Sequence, residues 1–503
     1  MSSLPEPIYT VESVRAIDRA AIVGEGIPGY TLMTRAGEAT LRAARRRFAA
    51  ARHWQVVCGA GNNAGDGYVV ARLAAVEGIG VSVIALSDPA ELTGDAATAY
   101  RDFAAAGGVA RLWADTGCSL DPEADLLIDA LLGSGLERKL EGAFAAAVAA
   151  MNAHPAPTLA VDIPTGLNGD SGAVMGCAVA ADMTVTFVGL KTGLFLGAGP
   201  AACGAIHYAG LGIPEHCRET QPLALRRISG AFLDGMLPRR PRDAHKGDHG
   251  HVLVVGGGKG MPGAARLCGE AALRSGAGLV SLATHPEHAA AIAAARPELM
   301  CHAIADPAEL APLLEKADVL AFGPGLGQSD WAQELYALVE QAKLPSVWDA
   351  DALNLLAVLS KPSSKVSPNE AVQRIITPHP GEAGRLLGQS VSELQRDRIA
   401  AVAALAARYG GAAVLKGAGT LVASAGATPS LCTRGNPGMA AAGMGDVLTG
   451  VIAGLLAQGL DLADAAAAGV EIHARAGDNA AAGGERGLMA SDLIAALRGI
   501  VNR

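Results

Sequence analysis

The chain has 503 residues, of which 50% are hydrophobic and 18% charged, so it is too long for one core and too apolar for a disordered chain. Its formal net charge of -9 excludes a general nucleic-acid binder and a polybasic membrane-surface protein. With only 4% aromatics and 64 glycines, the composition suits α/β layers with close helix-to-sheet packing.

Two helical patterns open the chain, Val11 to Ala21 and then Leu32 to Phe48. The second ends on Arg45, Arg46 and Arg47, read as a solvated helix face. Short apolar runs follow at Gln55 to Cys58, Val81 to Leu86, Asp125 to Ala130, Thr158 to Val161 and Met183 to Val188, with Ala-rich helical stretches between several of them. Such alternation predicts a parallel sheet covered on both faces. Around residues 215–245 the pattern breaks into a segment rich in Pro, Arg and Asp, read as a linker and entry segment. A second series then predicts strands at Val252 to Val255, Gly278 to Leu282, Val319 to Phe322, Ser346 to Trp348, Ile375 to Thr377 and Ala412 to Leu415. The boundary is placed near residue 225, giving two three-layer α/β/α domains, 1–225 and 226–503.

Cysteines stand at 58, 118, 177, 203, 217, 268, 301 and 432 with no CxxC pair, so neither a zinc cluster nor a disulfide framework is expected. The N-terminal MSSLPEPIYTVESVRAID has no apolar core of signal-peptide type, and no apolar stretch is long enough to span a bilayer. A cytoplasmic, soluble protein is expected.

Chemistry enters at the strand ends. CGAGNNAGDG, Cys58 to Gly67, lies between a strand and a helix, where glycines admit a phosphate and the helix N-terminus offers N–H groups. Asn62, Asn63 and Asp66 add polar side chains to it. DALLGSGLERK (Asp129 to Lys139) and VDIPTG (Val161 to Gly166) end two further strands, and ligands of open parallel sheets sit beyond such ends. Asn63, Asp129 and Thr165 offer hard oxygens suited to an alkali or alkaline-earth cation. Asp162 is a candidate acid or base, with Lys191 as its partner.

In the second half, strand, glycine loop and helix recur over His245 to Val280, and GPGLG (Gly323 to Gly327) follows another strand. TPHPGE holds His379 between two prolines, a rigid position for a ligand contact. LKGAGTLV (Leu415 to Val422) is a strand–turn–strand that brings Lys416 and turn amides towards a nucleotide phosphate. NPGMAAAGMGD (Asn436 to Asp446) puts Gly443, Met444, Gly445 and Asp446 ahead of a long apolar helix. An anion cradle with a first-turn carboxylate is the set that phosphoryl transfer needs.

The N-terminal motifs together resemble the NAD(P)HX epimerase domain of the YjeF N-terminal type, Rossmann-like, over about residues 8–215. The resemblance implies that Asn62, Asn63, Ala64, Gly65 and Asp66, then Gly133, Ser134, Gly135, Leu136, Glu137, Arg138 and Lys139, and Asp162 bind the hydrated nicotinamide nucleotide. It implies a potassium ion on Asn63, Asp129 and Thr165, and proton handling by Asp162 and Lys191. Ala64 stands where the family has a third glycine; a positive φ there would cost an alanine roughly 1 kcal/mol.

From about residue 228 the chain resembles ribokinase-like enzymes through GMGD. More narrowly it is similar to the ADP/ATP-dependent NAD(P)HX dehydratase, YjeF C-terminal type, through KGDHGHVLVVGG, GMPGAA, GPGLG, DADALNLL, TPHPGE, KGAGT and NPGMAAAGMGD in order. This implies ADP or ATP, with Mg²⁺, on Lys416, Gly417, Ala418, Gly419, Thr420, Asn436, Gly443, Met444 and Gly445. Ala264, Gly325, His379 and Asp446 would contact the hydrated nucleotide, Asp446 as catalytic base. The expected substrates are thus NADHX or NADPHX and ADP or ATP, with neither nucleic acid nor membrane as partner, in a homo-oligomer. The rival readings are a ribokinase-like kinase for a vitamin precursor or sugar, and an N-terminal half that is a nucleotide-binding scaffold without catalysis.

Overall fold

Strand His53–Cys58 is buried at nearly every position because its sheet is covered on both faces. Val56 packs into one core and Val57 into the other, as do Ile128 and Leu127 on the neighbouring strand, following the two-residue period of a strand. The computed structural model describes residues 4–359 and 373–502; Met1 to Ser3 of the N-terminal segment read above lie outside the described residues. It divides into two compact units, Met1–Leu225 and Arg226–Arg503.

The first unit holds a seven-stranded sheet. Its order is Ala110–Leu112, Gly80–Ala85, His53–Cys58, Leu126–Ala130, Thr158–Val161, Met183–Phe187 and Ala205–Ala209, every neighbour parallel. Strand order reverses at His53–Cys58, so a crevice opens between the ends of that strand and Leu126–Ala130. The opening helix Val11–Arg19 is shorter than its apolar pattern suggests, because the chain passes into a π-helical turn at Ala20–Gly24.

The second unit repeats the principle with another order. Met300–Ala303, Leu279–Thr284, His251–Val255, Val319–Phe322, Ser346–Trp348, Arg374–Ile376 and Ala412–Leu415 run parallel. Thr420–Ser424 and Ser430–Cys432 then add antiparallel partners. Here the order reverses at His251–Val255 and Val319–Phe322, and the glycine loops after them join: Gly257 N–H donates to Pro324 O at 3.0 Å and Gly258 N–H to Gly325 O at 2.7 Å. Two short strands, Ala110–Leu112 and Met300–Ala303, escape the sequence pattern because they lie at sheet edges with few buried positions. No helix among the described residues is long and apolar enough to cross a membrane.

Helix Met444–Ala457 is apolar around its circumference and is correspondingly buried. It packs on Pro262–Ser275 so closely that a Cβ on Gly450 would lie 2.0 Å from the Cys268 carbonyl oxygen. That contact fixes the depth of the helix and so the position of its first turn. Gly450→Ala should therefore destabilise the chain by about 1–3 kcal/mol, since backbone must move. Gly499→Ala, with nothing within 4 Å of the added carbon, should instead stabilise by roughly 0.5–1 kcal/mol. Thermal unfolding followed by circular dichroism reads both signs, and an unchanged Tm for Gly450→Ala would contradict the packing account.

Candidate active sites at the strand ends

In the first unit a cavity of about 470 Å³ opens at the strand ends, lined among others by Asn62, Asn63, Asp66, Gly133, Ser134, Gly135, Asp162 and Lys191. Its centre is an ion pair. The fully buried Lys191 ammonium donates to Asp162 Oδ1 at 2.5 Å, to Thr186 Oγ1 at 3.0 Å and to the Phe187 carbonyl at 3.2 Å. Asp162 adopts a left-handed φ of 68°, a conformation aspartate tolerates better than most residues and one that functional sites hold by surrounding contacts. Val188, also lining the cavity, has φ 67°, which a β-branched residue rarely adopts. Its carbonyl is held by Tyr208 Oη at 2.9 Å and Arg218 Nε at 3.0 Å.

Around this pair the charge is unbalanced. Burial, then Asp162 and Asp18, push the Asp66 carboxyl well above its usual range. Asp18, which the sequence reading passed over, is pushed up to about 6, chiefly by burial.

The residues expected to hold potassium fit an oxygen-coordinated cation. Asn63 is buried, with neither side-chain Oδ1 nor Nδ2 partnered among the described residues. A Cβ on Gly133 would stand 3.4 Å from that Oδ1 and 3.5 Å from Asp162 Oδ2, so Asn63 and Asp162 approach one point. Asp129, fully buried, accepts from Thr165 N–H and Oγ1, both at 2.7 Å, yet burial still lifts its carboxyl to about 6. A buried carboxylate without a full countercharge and an orphaned amide oxygen are each donors that suit a hard cation, although Asp129 and Thr165 are fully buried behind the cavity wall that Asn63 lines.

Not every expected contact reaches the cavity. Ala64 and Gly65 turn inward, and Ala64 lies in the first turn of helix Asn62–Val76 without a positive φ. The strain considered for it is therefore absent, because the helix begins one residue after Gly61, which carries the φ of 152°. Leu136 is buried in a core cluster, while Glu137, Arg138 and Lys139 are exposed and do not line the cavity.

The second unit also centres on a lysine–aspartate pair. Lys416 Nζ lies 2.6 Å from Asp349 Oδ1 and 3.9 Å from Glu382 Oε2. Asp349, in the DADALNLL segment but given no role by sequence, directly follows strand Ser346–Trp348 and also accepts from Thr449 Oγ1 at 2.9 Å. A Cβ at Gly445 would stand 3.2 Å from Lys416 Nζ and 3.3 Å from Asp349 Oδ2, so this group faces the first turn of helix Met444–Ala457. The helix starts because Gly443 takes φ 86° as its N-cap, and its first amides lack intrahelical acceptors. Asp446 sits in that turn, half-buried, its carboxyl pushed up to about 7 by burial and then by Asp349. Glu382 is likewise lifted to about 7, chiefly by burial. Burial works against the Lys416 ammonium, but Asp349 and Glu382 outweigh it and raise its pKa.

Lys416 thus points at carboxylates beside Asp446. Its turn is shaped by buried Arg398, whose guanidinium donates to the carbonyls of Ala418 at 2.6 Å, Leu415 at 3.3 Å and Lys416 at 3.3 Å. Within that turn Thr420 Oγ1 donates to Gly417 O at 2.8 Å. Asn436 is occupied locally: its Oδ1 accepts from Gly438 N–H at 3.1 Å and its Nδ2 donates to Asp478 at 3.1 Å. His379 caps helix Pro380–Leu387, with Nδ1 accepting from Gly381 N–H at 3.0 Å, and its ring is exposed at the edge. Burial, then Lys416 and Arg385, lower its pKa. Ala264 and Gly325 meet across the joined glycine loops, 2.9 Å from the Ala264 methyl to a Cβ on Gly325. Asp349, Glu382 and Arg398 lack the short glycine-rich spacing that marks Asp446, and only the fold brings them to it.

Both halves match family models: YjeF-related protein N-terminus over residues 29–193 and NAD(P)H-hydrate dehydratase over residues 252–498. The bifunctional NAD(P)H-hydrate repair enzyme Nnr of Coxiella burnetii is 46% identical over 496 residues, covering 98% of this chain and 99% of its own. Its namesake in Escherichia coli is 44% identical over 506 residues, covering 99% of this chain and 95% of its own. Among solved structures, a ribokinase-like superfamily protein from Enterococcus faecalis aligns at 29% identity and a TM-score of 0.51, covering 55% of this chain and 95% of that one. By these full-length matches the chain belongs to the family of bifunctional NAD(P)H-hydrate repair enzymes.

Proposed function

We propose that the chain restores hydrated NADH or NADPH in two steps, the first unit interconverting the R and S epimers and the second dehydrating the S epimer at the expense of ADP or ATP. The observation that carries the second step is Asp446, on a helix N-terminus behind a glycine loop, its carboxyl held at about 7 beside the Lys416–Asp349 pair. Asp446 takes the proton of the ring hydroxyl as its oxygen attacks the terminal phosphorus. The phosphoryl group leaves its nucleotide, and the phosphate then departs from the ring as the neighbouring carbon loses a proton, which re-forms the double bond. Phosphate leaves far more readily than hydroxide. The amides of Gly443, Met444 and Gly445, with the KGAGT turn, hold the nucleotide phosphates. Mg²⁺ bound with the nucleotide would offset charge on the transferring group. Asp349 and Glu382 are the carboxylates that suit it, since both crowd negative charge against one lysine.

In the first unit Lys191 holds the Asp162 carboxylate in place at the hydrated ring, and the strained backbone at both Asp162 and Val188 aims them into the cavity. Asn63, Asp129 and Thr165 would hold K⁺, which would supply a fixed positive charge to this acidic crevice. Pairing the activities in one chain makes chemical sense, because a dehydratase alone strands one epimer. Full-length relatives named for repair of NAD(P)H hydrate support this reading over a vitamin-precursor kinase or a non-catalytic N-terminal scaffold. Eight unpaired cysteines, five of them buried, fit a reducing cytoplasm.

Asp446→Asn should reduce dehydration of the S epimer by a factor of about 10² or more while R and S still interconvert. Separate assays of the two reactions on purified protein check this, and equal loss of both would sink the division of labour. The base must be ionised to work, so kcat/KM for dehydration should fall about tenfold per pH unit below about 7 and level off above it. A flat profile between pH 5 and 8 would remove Asp446 from the role of base.

A further inference from the structure

The epimerase cavity contains more acid than the Lys191–Asp162 pair accounts for. Val14, Asp18 and Ile22, four residues apart, form one stripe that lines the cavity from helix Val11–Arg19 and the π-helical turn Ala20–Gly24 after it. Such π turns recur at functional sites. Val14 and Ile17 are buried in the core, whereas the half-buried Asp18 carboxylate has no hydrogen bond or ion pair among the described residues. The groups facing it around the cavity are Arg15 on its own helix, Asp66 on helix Asn62–Val76, Asp95 on helix Gly94–Ala105, and Asp162 and Lys191 at the strand ends. Lys191 lowers the pKa of both Asp18 and Asp66 but is bonded to Asp162 at 2.5 Å, so neither of the two has an ion pair of its own among the described residues. A second sign that this space is built for a ligand is Asn63, buried on the same wall with both side-chain polar atoms unpartnered.

Inverting a carbon that bears a hydroxyl beside a ring nitrogen requires a proton to be given on one side and taken on another. One acid–base group serves one of these transfers. We propose that Asp18 is the second proton-transfer residue of epimerisation, a role that rests on the epimerase activity assigned above. Protonated Asp18 gives its proton to the ring hydroxyl, the C–O bond breaks, water forms, and the ring-nitrogen lone pair makes a planar iminium carbon. Water adds to the other face of that carbon, the C–O bond re-forms, and the nitrogen recovers its lone pair. The proton released from the added water passes to the Asp162 carboxylate, and exchange with bulk water resets both groups. No electron is gained or lost overall. The elevated pKa of Asp18, about 6, keeps a protonated fraction in hand near neutrality, as a carboxylic acid donor requires.

The test uses the full chain without ADP or ATP, so that only R-to-S conversion is read by separating the epimers. Asp18→Asn should lower the kcat of epimerisation by about 10²-fold while KM stays within about twofold. Asp18→Glu should regain part of the lost rate, which an unfolded unit could not do. Wild-type kcat should decline as pH rises above about 6, where Asp18 loses its proton, and this limb should vanish in Asp18→Asn. Nucleotide-dependent dehydration of the S epimer should remain at the wild-type rate in both variants. Wild-type kcat and pH profile in Asp18→Asn, or a raised KM alone, would overturn the role. A wild-type chain that fails to interconvert the epimers would instead overturn the function on which the role rests.

Discussion

A lysine ammonium set against one aspartate, at the carboxyl ends of parallel strands, is the interaction around which each unit arranges its crevice. Lys191 meets Asp162 at 2.5 Å and Lys416 meets Asp349 at 2.6 Å. Each lysine neutralises one carboxylate, and each crevice then adds carboxylates beyond that number: Asp18 and Asp66 in the first, Glu382 and Asp446 in the second. Burial is the main force that lifts these carboxyl pKa values towards neutrality, and the neighbouring carboxylates add to it. Asp18 rises to about 6, and Glu382 and Asp446 to about 7. Groups poised there can give or take protons at physiological pH, and the same surplus of negative charge receives cations.

Packing supports this chemistry from a distance. Asp446 has its position because Gly450 lets helix Met444–Ala457 sit against the backbone of Cys268, and because Gly443 starts the helix with φ 86°. Arg434, two residues before Asn436, is anchored by Glu471, fully buried, which accepts from Arg475 at 2.6 Å and Arg434 at 3.0 Å. Asp162 and Val188 hold left-handed backbone in the first unit only because neighbouring strands and Arg218 fix them there. Sheet cores are thus ordinary, and conformational cost is concentrated at the strand ends.

Much of the fold was legible in sequence. Thr158–Val161, Val319–Phe322, Ser346–Trp348 and Ala412–Leu415 coincide with their apolar runs, because a strand buried on both faces has to be continuously apolar. Edge strands with exposed positions were not legible. At the sites, loops rich in glycine and polar residues announced themselves, while their long-range partners did not. Asp349 reaches Lys416 over 67 positions and Thr449 over 100, distances that no local spacing encodes. Asp18 follows buried Ile17 on an amphipathic helix, where a solvent-facing aspartate would look the same. Conversely, Leu136 lies inside a glycine-rich loop yet fills a core, and Ala64 occupies a helical turn that tolerates it.

The central claim is that two crevices of one chain act in sequence on one damaged nucleotide. It is tested most directly by giving purified full-length protein an equilibrated mixture of R and S hydrates with excess ADP and Mg²⁺, and following recovery of NAD(P)H absorbance. The account predicts complete recovery, faster than the epimers interconvert without enzyme. Recovery that halts at the S fraction, with the R epimer left intact, would contradict it.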